Sequence, residues 1–135
     1  LFLEYIEKYY NKKYDLNCAE TIIYAANEAY DLKLDKNTLK TMSAFGGGMA
    51  IGDVCGAITG ALAVLGIMFT KDRSHESDKV KKLTSEFFNK FNETLGLKNC
   101  NELKEKYFDG NQRCSKMLYT SAEILEQLIK EYKAA

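Results

Sequence analysis

Cys18, Cys55, Cys100 and Cys114 are the residues of this chain whose type and placement could do chemistry together. No two of them form a Cys-x-x-Cys pair of the zinc-ribbon or thioredoxin kind, so spacing alone names neither a metal nor a redox motif. Their local settings are nevertheless alike. The runs NCAE, Asn17 to Glu20, and NCNE, Asn99 to Glu102, each offer an Asn as N-cap and a Glu three residues later, a variant of the capping box. Cys18 and Cys100 are then first-turn residues. Asp53 reads as the N-cap of another helix, which puts Cys55 two residues inside it, with Gly52 in front to permit the turn. Cys114 follows the turn-like DGNQR and opens the last helix.

A helix start presents unpaired N–H groups and the positive end of the helix dipole, both of which favour an anion and lower the pKa of a thiol. Four thiols at four helix starts can therefore converge on one small space where helix ends meet. Two other readings of the same positions stay open at this point. Free cysteine behaves as a small buried hydrophobe, so the four can be unrelated core residues, or they can be paired as disulfides.

The elements that must position these thiols are helical. Proline is absent, β-branched alternation is scarce, and apolar residues recur at helical spacing. Val80, Leu83, Phe87, Phe91 and Leu95 form one stripe of a helix from about Glu76 to Leu95. Leu118, Leu125, Leu128, Ile129 and Tyr132 mark a last helix. LFLEYIEKYYNKK and CAETIIYAANEAY supply two more, and a short helix is expected from Lys36 to Ala44. The stretch from Val54 to Phe69 has no polar face beyond one threonine, which places it at the centre. The expectation is an all-α, compact multi-helix bundle around a buried central helix at 54–69, with residues 1–135 as a single helical domain.

Composition narrows the function classes. Nineteen basic residues balance nineteen acidic ones, so no net field draws in nucleic acid or an anionic membrane surface. A membrane span is the competing reading of Gly47 to Phe69, whose single charge is Asp53. Its glycines dilute the hydrophobicity, and the amphipathic helices need this segment as their core, so no span is expected. Gly52, Gly56 and Gly60 follow the small-xxx-small pattern of closely packed helices. The N-terminal LFLEYIEKYY lacks the features of a secretory signal, making the cytoplasm the default location. The chain does not begin with methionine, so an upstream export signal stays open.

With these residues read, the chain resembles the C_GCAxxG_C_C family of redox-active proteins. The Cys-Gly-Ala-x-x-Gly signature matches Cys55, Gly56, Ala57 and Gly60, and the preceding glycine run matches Phe45 to Met49 and Gly52. An upstream cysteine in a Cys-Ala context corresponds to Cys18 and Ala19, and two downstream cysteines correspond to Cys100 and Cys114. The likeness runs from about Leu16 to Leu128. It implies one shared site built from Cys18, Cys55, Cys100 and Cys114, with Gly52 and Gly56 beside it, and a redox or transporter-linked protein partner. Some members look exported by the twin-arginine route, for which this sequence has no segment.

Four thiolates suit an iron–sulfur cluster, tetrahedral zinc or copper(I). An iron–sulfur cluster for electron transfer is the favoured expectation, because helix N–H groups aimed at sulfur stabilise an anionic cluster. The alternative is a metal-free thiol oxidoreductase in which Cys55 attacks a disulfide and another cysteine, such as Cys18, resolves it. A third reading is a metal carrier or sensor serving a transporter. The glycine run fails as a phosphate cradle, since Asp53 stands where a P-loop has lysine and helix rather than strand precedes it. His75 is a solvated residue without a role, and Tyr5, Tyr9, Tyr10 and Tyr14 are half-buried packing residues.

Overall fold

The structure, a computed structural model, describes residues 1–134. Seven α-helices follow in order: α1 (Phe2–Tyr9), α2 (Cys18–Ala29), α3 (Lys36–Lys40), α4 (Gly56–Phe69), α5 (Lys79–Leu95), α6 (Cys100–Tyr107) and α7 (Ser115–Ala134). Single turns at Gly48–Gly52 and Ser74–Glu76 link α3 to α4 and α4 to α5. The all-α bundle read from the sequence is what forms. Its centre is α4, which packs against α2, α5 and α7. Ala57, Ile58, Ala61, Val64 and Leu65 are fully buried there, while Leu62, Ala63 and Ile67 form a half-buried flank.

Small residues set the distance between α2 and α4. A Cβ on Gly60 would lie 2.6 Å from the Ala19 carbonyl oxygen, so only glycine allows the two backbones this close. Ala19, Ala25 and Ala26 of α2 are without any exposure. The larger side chains fill the other seams. Leu83, Phe87, Phe91 and Leu95 form the buried stripe of α5, with the Phe87 and Phe91 rings stacked at 6.3 Å, and each such ring contributes roughly 2–3 kcal/mol by leaving water. Val80, the first residue of the stripe expected from periodicity, stays half-buried. Leu118, Ala122, Leu125 and Leu128 are the matching face of α7. Ser121 on that face donates to the Ala57 carbonyl at 2.6 Å, tying α7 to the first turn of α4.

Several local expectations change in detail. Helix α3 ends at Lys40 rather than Ala44, because residues 41–44 continue as turns. Helix α5 begins at Lys79, after the exposed turn that holds His75. No helix among the described residues is long and apolar enough to cross a membrane, since α4 spans only 14 residues.

Candidate functional site

The N-termini of α2, α4, α6 and α7 meet at one end of the bundle, each brought there by a different device. Asn17 caps α2 as expected: its side chain accepts from the Glu20 N–H at 2.7 Å, and Glu20 accepts from the Asn17 N–H at 3.0 Å. The same Asn17 amide donates to the Ser43 carbonyl at 3.1 Å, anchoring the chain that leaves α3. The starts of α4 and α6 are held together through a short antiparallel contact between Val54 and Asn99. Within it the Cys55 N–H donates to the Lys98 carbonyl at 2.8 Å, and the Cys100 N–H donates to the Asp53 carbonyl. Two cysteines distant in sequence thereby become neighbours through backbone pairing.

This arrangement corrects two capping assignments. Asp53 does not cap α4, because its backbone is committed to the contact with α6, and Cys55 itself occupies the N-cap position. Asn99 heads α6 but makes no side-chain cap, and its buried Oδ1 is without a hydrogen-bond partner. Cys18 and Cys100 are the first residues of their helices, as expected. Cys114 immediately precedes α7, and its carbonyl accepts from the Met117 and Leu118 N–H groups, both at 3.1 Å.

The segment leading to Cys55 is a left-handed turn. Gly47, Gly48 and Gly52 have φ of 61°, 63° and 73°, and Met49 and Ala50 share that region at 59° and 64°. For the two non-glycine residues this conformation costs about 1–2 kcal/mol each. The glycines are there for room as well as for φ. A Cβ on Gly48 would run into the Asp53 backbone, and one on Gly52 would run into the Asn101 side chain of α6. Gly52 therefore lets the turn lie on α6 and does not border the thiols.

All four cysteines line one cavity of about 180 Å³, together with Tyr10, Asn17, Gly47, Gly56, Lys104 and Arg113 and the apolar Leu16, Leu103 and Met117. All four are free thiols; Cys55, Cys100 and Cys114 are buried and Cys18 is half-buried. Their environments differ. Cys18 is the main influence that draws Cys114 down to about 6. Burial opposes this, while Lys104, the Tyr10 hydroxyl and Arg113 add to it. Cys18 moves the other way, well above the usual thiol range, because it holds the proton that Cys114 gives up and because it is desolvated. The two thiols therefore titrate together, with Cys114 the more acidic of the two.

The other two thiols stay protonated. Burial pushes Cys55 up to about 11, against the pull of the Ala57 N–H, with Cys100 and Cys114 raising it further. Cys100 is raised by burial too, with Lys104 opposing. Tyr10 completes the setting: its hydroxyl accepts from the Cys114 N–H at 3.0 Å, and the Arg113 guanidinium lies 3.9 Å from its ring centre while donating to its carbonyl at 2.7 Å. Burial pushes the Tyr10 phenol up to about 12, so it remains a proton donor beside the thiolate.

The expectation of a metal or iron–sulfur cluster is overturned. Among the described residues no group of three or more His, Cys, Asp or Glu side chains is arranged to hold a metal ion. A thiolate metal site needs its sulfurs about 2.3 Å from one common point. Here the sulfurs are distributed over the cavity lining. Cys18, Cys55, Cys100 and Cys114 therefore do not fit an iron–sulfur cluster, zinc or copper(I). The metal-carrier reading falls with it.

Sequence reasoning missed three lining residues. Lys104 stands one helical turn after Cys100 and so shares its face, a signal that was present in the spacing. Arg113 directly precedes Cys114. Tyr10 was read as packing, and with Tyr5, Tyr9 and Tyr14 it is half-buried, but nothing local connects it to a cysteine 104 residues later.

Fold and site together define a class: an all-helical protein with four free thiols around a cavity at converging helix starts. The chain belongs to the C_GCAxxG_C_C family, described as "Putative redox-active protein", whose model matches residues 16–128. No curated protein and no solved structure matches it.

Proposed function

We propose that this protein carries out thiol–disulfide exchange, with Cys114 as the attacking thiolate and Cys18 as the resolving thiol. The observation that supports it is that Cys18 and Cys114 line one cavity and act on each other's ionisation, Cys114 drawn down and Cys18 pushed up. The thiolate is the nucleophile in exchange, and a thiol is most effective when its pKa lies near the ambient pH. On this ground Cys114 takes the role that helix-start position alone gives to Cys55, whose thiol stays protonated near neutral pH.

The reaction balances without a further reagent. Cys114 Sγ attacks one sulfur of a disulfide R–S–S–R, the S–S bond breaks, and RS⁻ leaves and takes the Cys18 proton. The Cys18 thiolate then attacks Cys114 Sγ in the mixed disulfide and expels the second RS⁻. One disulfide is reduced to two thiols, and the Cys18–Cys114 pair is oxidised by two electrons. Tyr10 holds the Cys114 backbone in place during both steps, and Arg113 holds Tyr10. Such a pair operates where thiols are kept reduced, which favours the cytoplasm.

The test is alkylation of the reduced protein by iodoacetamide across pH, with each cysteine followed by mass spectrometry. Cys114 is expected to react first. Its rate should be nearly level above a midpoint near 6 and fall about tenfold per pH unit below it, because only the thiolate reacts. Mild oxidation should then link Cys18 to Cys114. Equal labelling of Cys55 near neutral pH, or a Cys55–Cys100 link formed in preference, would sink the reading.

A further inference from the structure

The charges around the thiols bear on what enters the cavity. Its lining includes two cations, Lys104 and Arg113, and no carboxylate. Among the described residues neither cation is ion-paired; the salt bridges there join Lys8 to Glu28 and Arg73 to Asp72. Arg113 is half-buried and fixed by its stacking on Tyr10, whereas Lys104 is exposed at the rim. Four helix N-termini add their positive ends to the same space, each equivalent to about half an elementary charge. The Cys114 thiolate offsets one of these charges, leaving the site positive.

Size sets a second limit. A cavity of about 180 Å³ compares with the ~150 Å³ that admits a benzene-sized molecule, so it takes a few heavy atoms and not a folded surface or a protein loop. A protein disulfide would have to deliver its sulfur past the Lys104 rim into that space. A low-molecular-weight disulfide enters with one half of the molecule and leaves its charged end at the rim.

We infer that the site selects small anionic disulfides, low-molecular-weight thiols in oxidised form that carry carboxylates, with Lys104 and Arg113 as the groups that receive the carboxylates. This rests on the thiol–disulfide reading above and names its substrate class. The departing RS⁻ takes the Cys18 proton and so leaves as a thiol that keeps only its carboxylate charge.

The experiment uses the reduced full chain and three probes of matched length: dithiodiglycolate (anionic), hydroxyethyl disulfide (neutral) and cystamine (cationic). The Cys18–Cys114 link is followed by mass spectrometry and thiol release by rate. Relative to a simple monothiol, the wild-type protein should favour the anion over the neutral probe on the order of tenfold and disfavour the cation. Raising salt should shrink that preference, since the Debye length falls to about 3 Å near 1 M. Lys104→Glu should reverse the anion-to-neutral ratio and Lys104→Gln should flatten it; using the ratio removes any common change in Cys114 reactivity. A ratio equal to that of the monothiol, or one unmoved by both substitutions and by salt, overturns the inference while thiol–disulfide exchange stands. No link with any of the three probes overturns both.

Discussion

Cys114 and Cys55 border the same cavity at the starts of two helices and both are buried, yet the first is drawn down to about 6 and the second pushed up to about 11. Both have N–H groups of a helix start nearby, so the dipole is common to them and does not separate them. What separates them is company. Cys114 has a thiol donor in Cys18, a phenol donor in Tyr10, and the charges of Lys104 and Arg113; Cys55 has desolvation as its largest influence and only backbone N–H groups against it. A helix start permits a thiolate, and side chains from other elements decide whether one forms.

The comparison can be broken most directly at Cys18. Cys18→Ala removes the principal donor, so the Cys114 pKa should rise. Near pH 7 the thiolate fraction then falls, and alkylation of Cys114 should slow on the order of tenfold, with its midpoint moved to higher pH. An unchanged profile would mean that the charges of Lys104 and Arg113 suffice. Gly60→Ala tests the scaffold: the new Cβ meets the Ala19 carbonyl of α2, and overpacking there should cost about 1–3 kcal/mol in denaturant unfolding. Because α2 carries Cys18 and α4 follows Cys55, pushing these helices apart should speed alkylation of Cys55 while slowing that of Cys114, narrowing the gap between them. The smallest effect is expected from Cys55→Ala. Cys55 is not among the groups that set the Cys114 pKa, so the Cys114 rate should stay within about twofold. A larger change would show that the two thiols act as one unit.

The positions of the four thiols at helix starts were legible because N-caps and apolar stripes are local patterns. Asn17 and Glu20 form the expected capping box, and the stripe Leu83, Phe87, Phe91 and Leu95 is the buried face of α5. The cap at Asp53 was misread because backbone pairing with α6 takes that residue away, a long-range event invisible in a short window. The left-handed Met49 and Ala50 were illegible for the same reason: side chains of this kind adopt that conformation only when a surrounding structure enforces it.

Periodicity and capping act over one or two turns, so the helical class, the apolar core segment and the nearness of each cysteine to a helix start could be read from the residues alone. Folding made Cys114 the more acidic thiol and, among the described residues, left the four without a common point for a metal ion. A thiol's proton affinity depends on charges and donors within a few ångströms, and Tyr10, Cys18 and Lys104 reach Cys114 through space from three other parts of the chain.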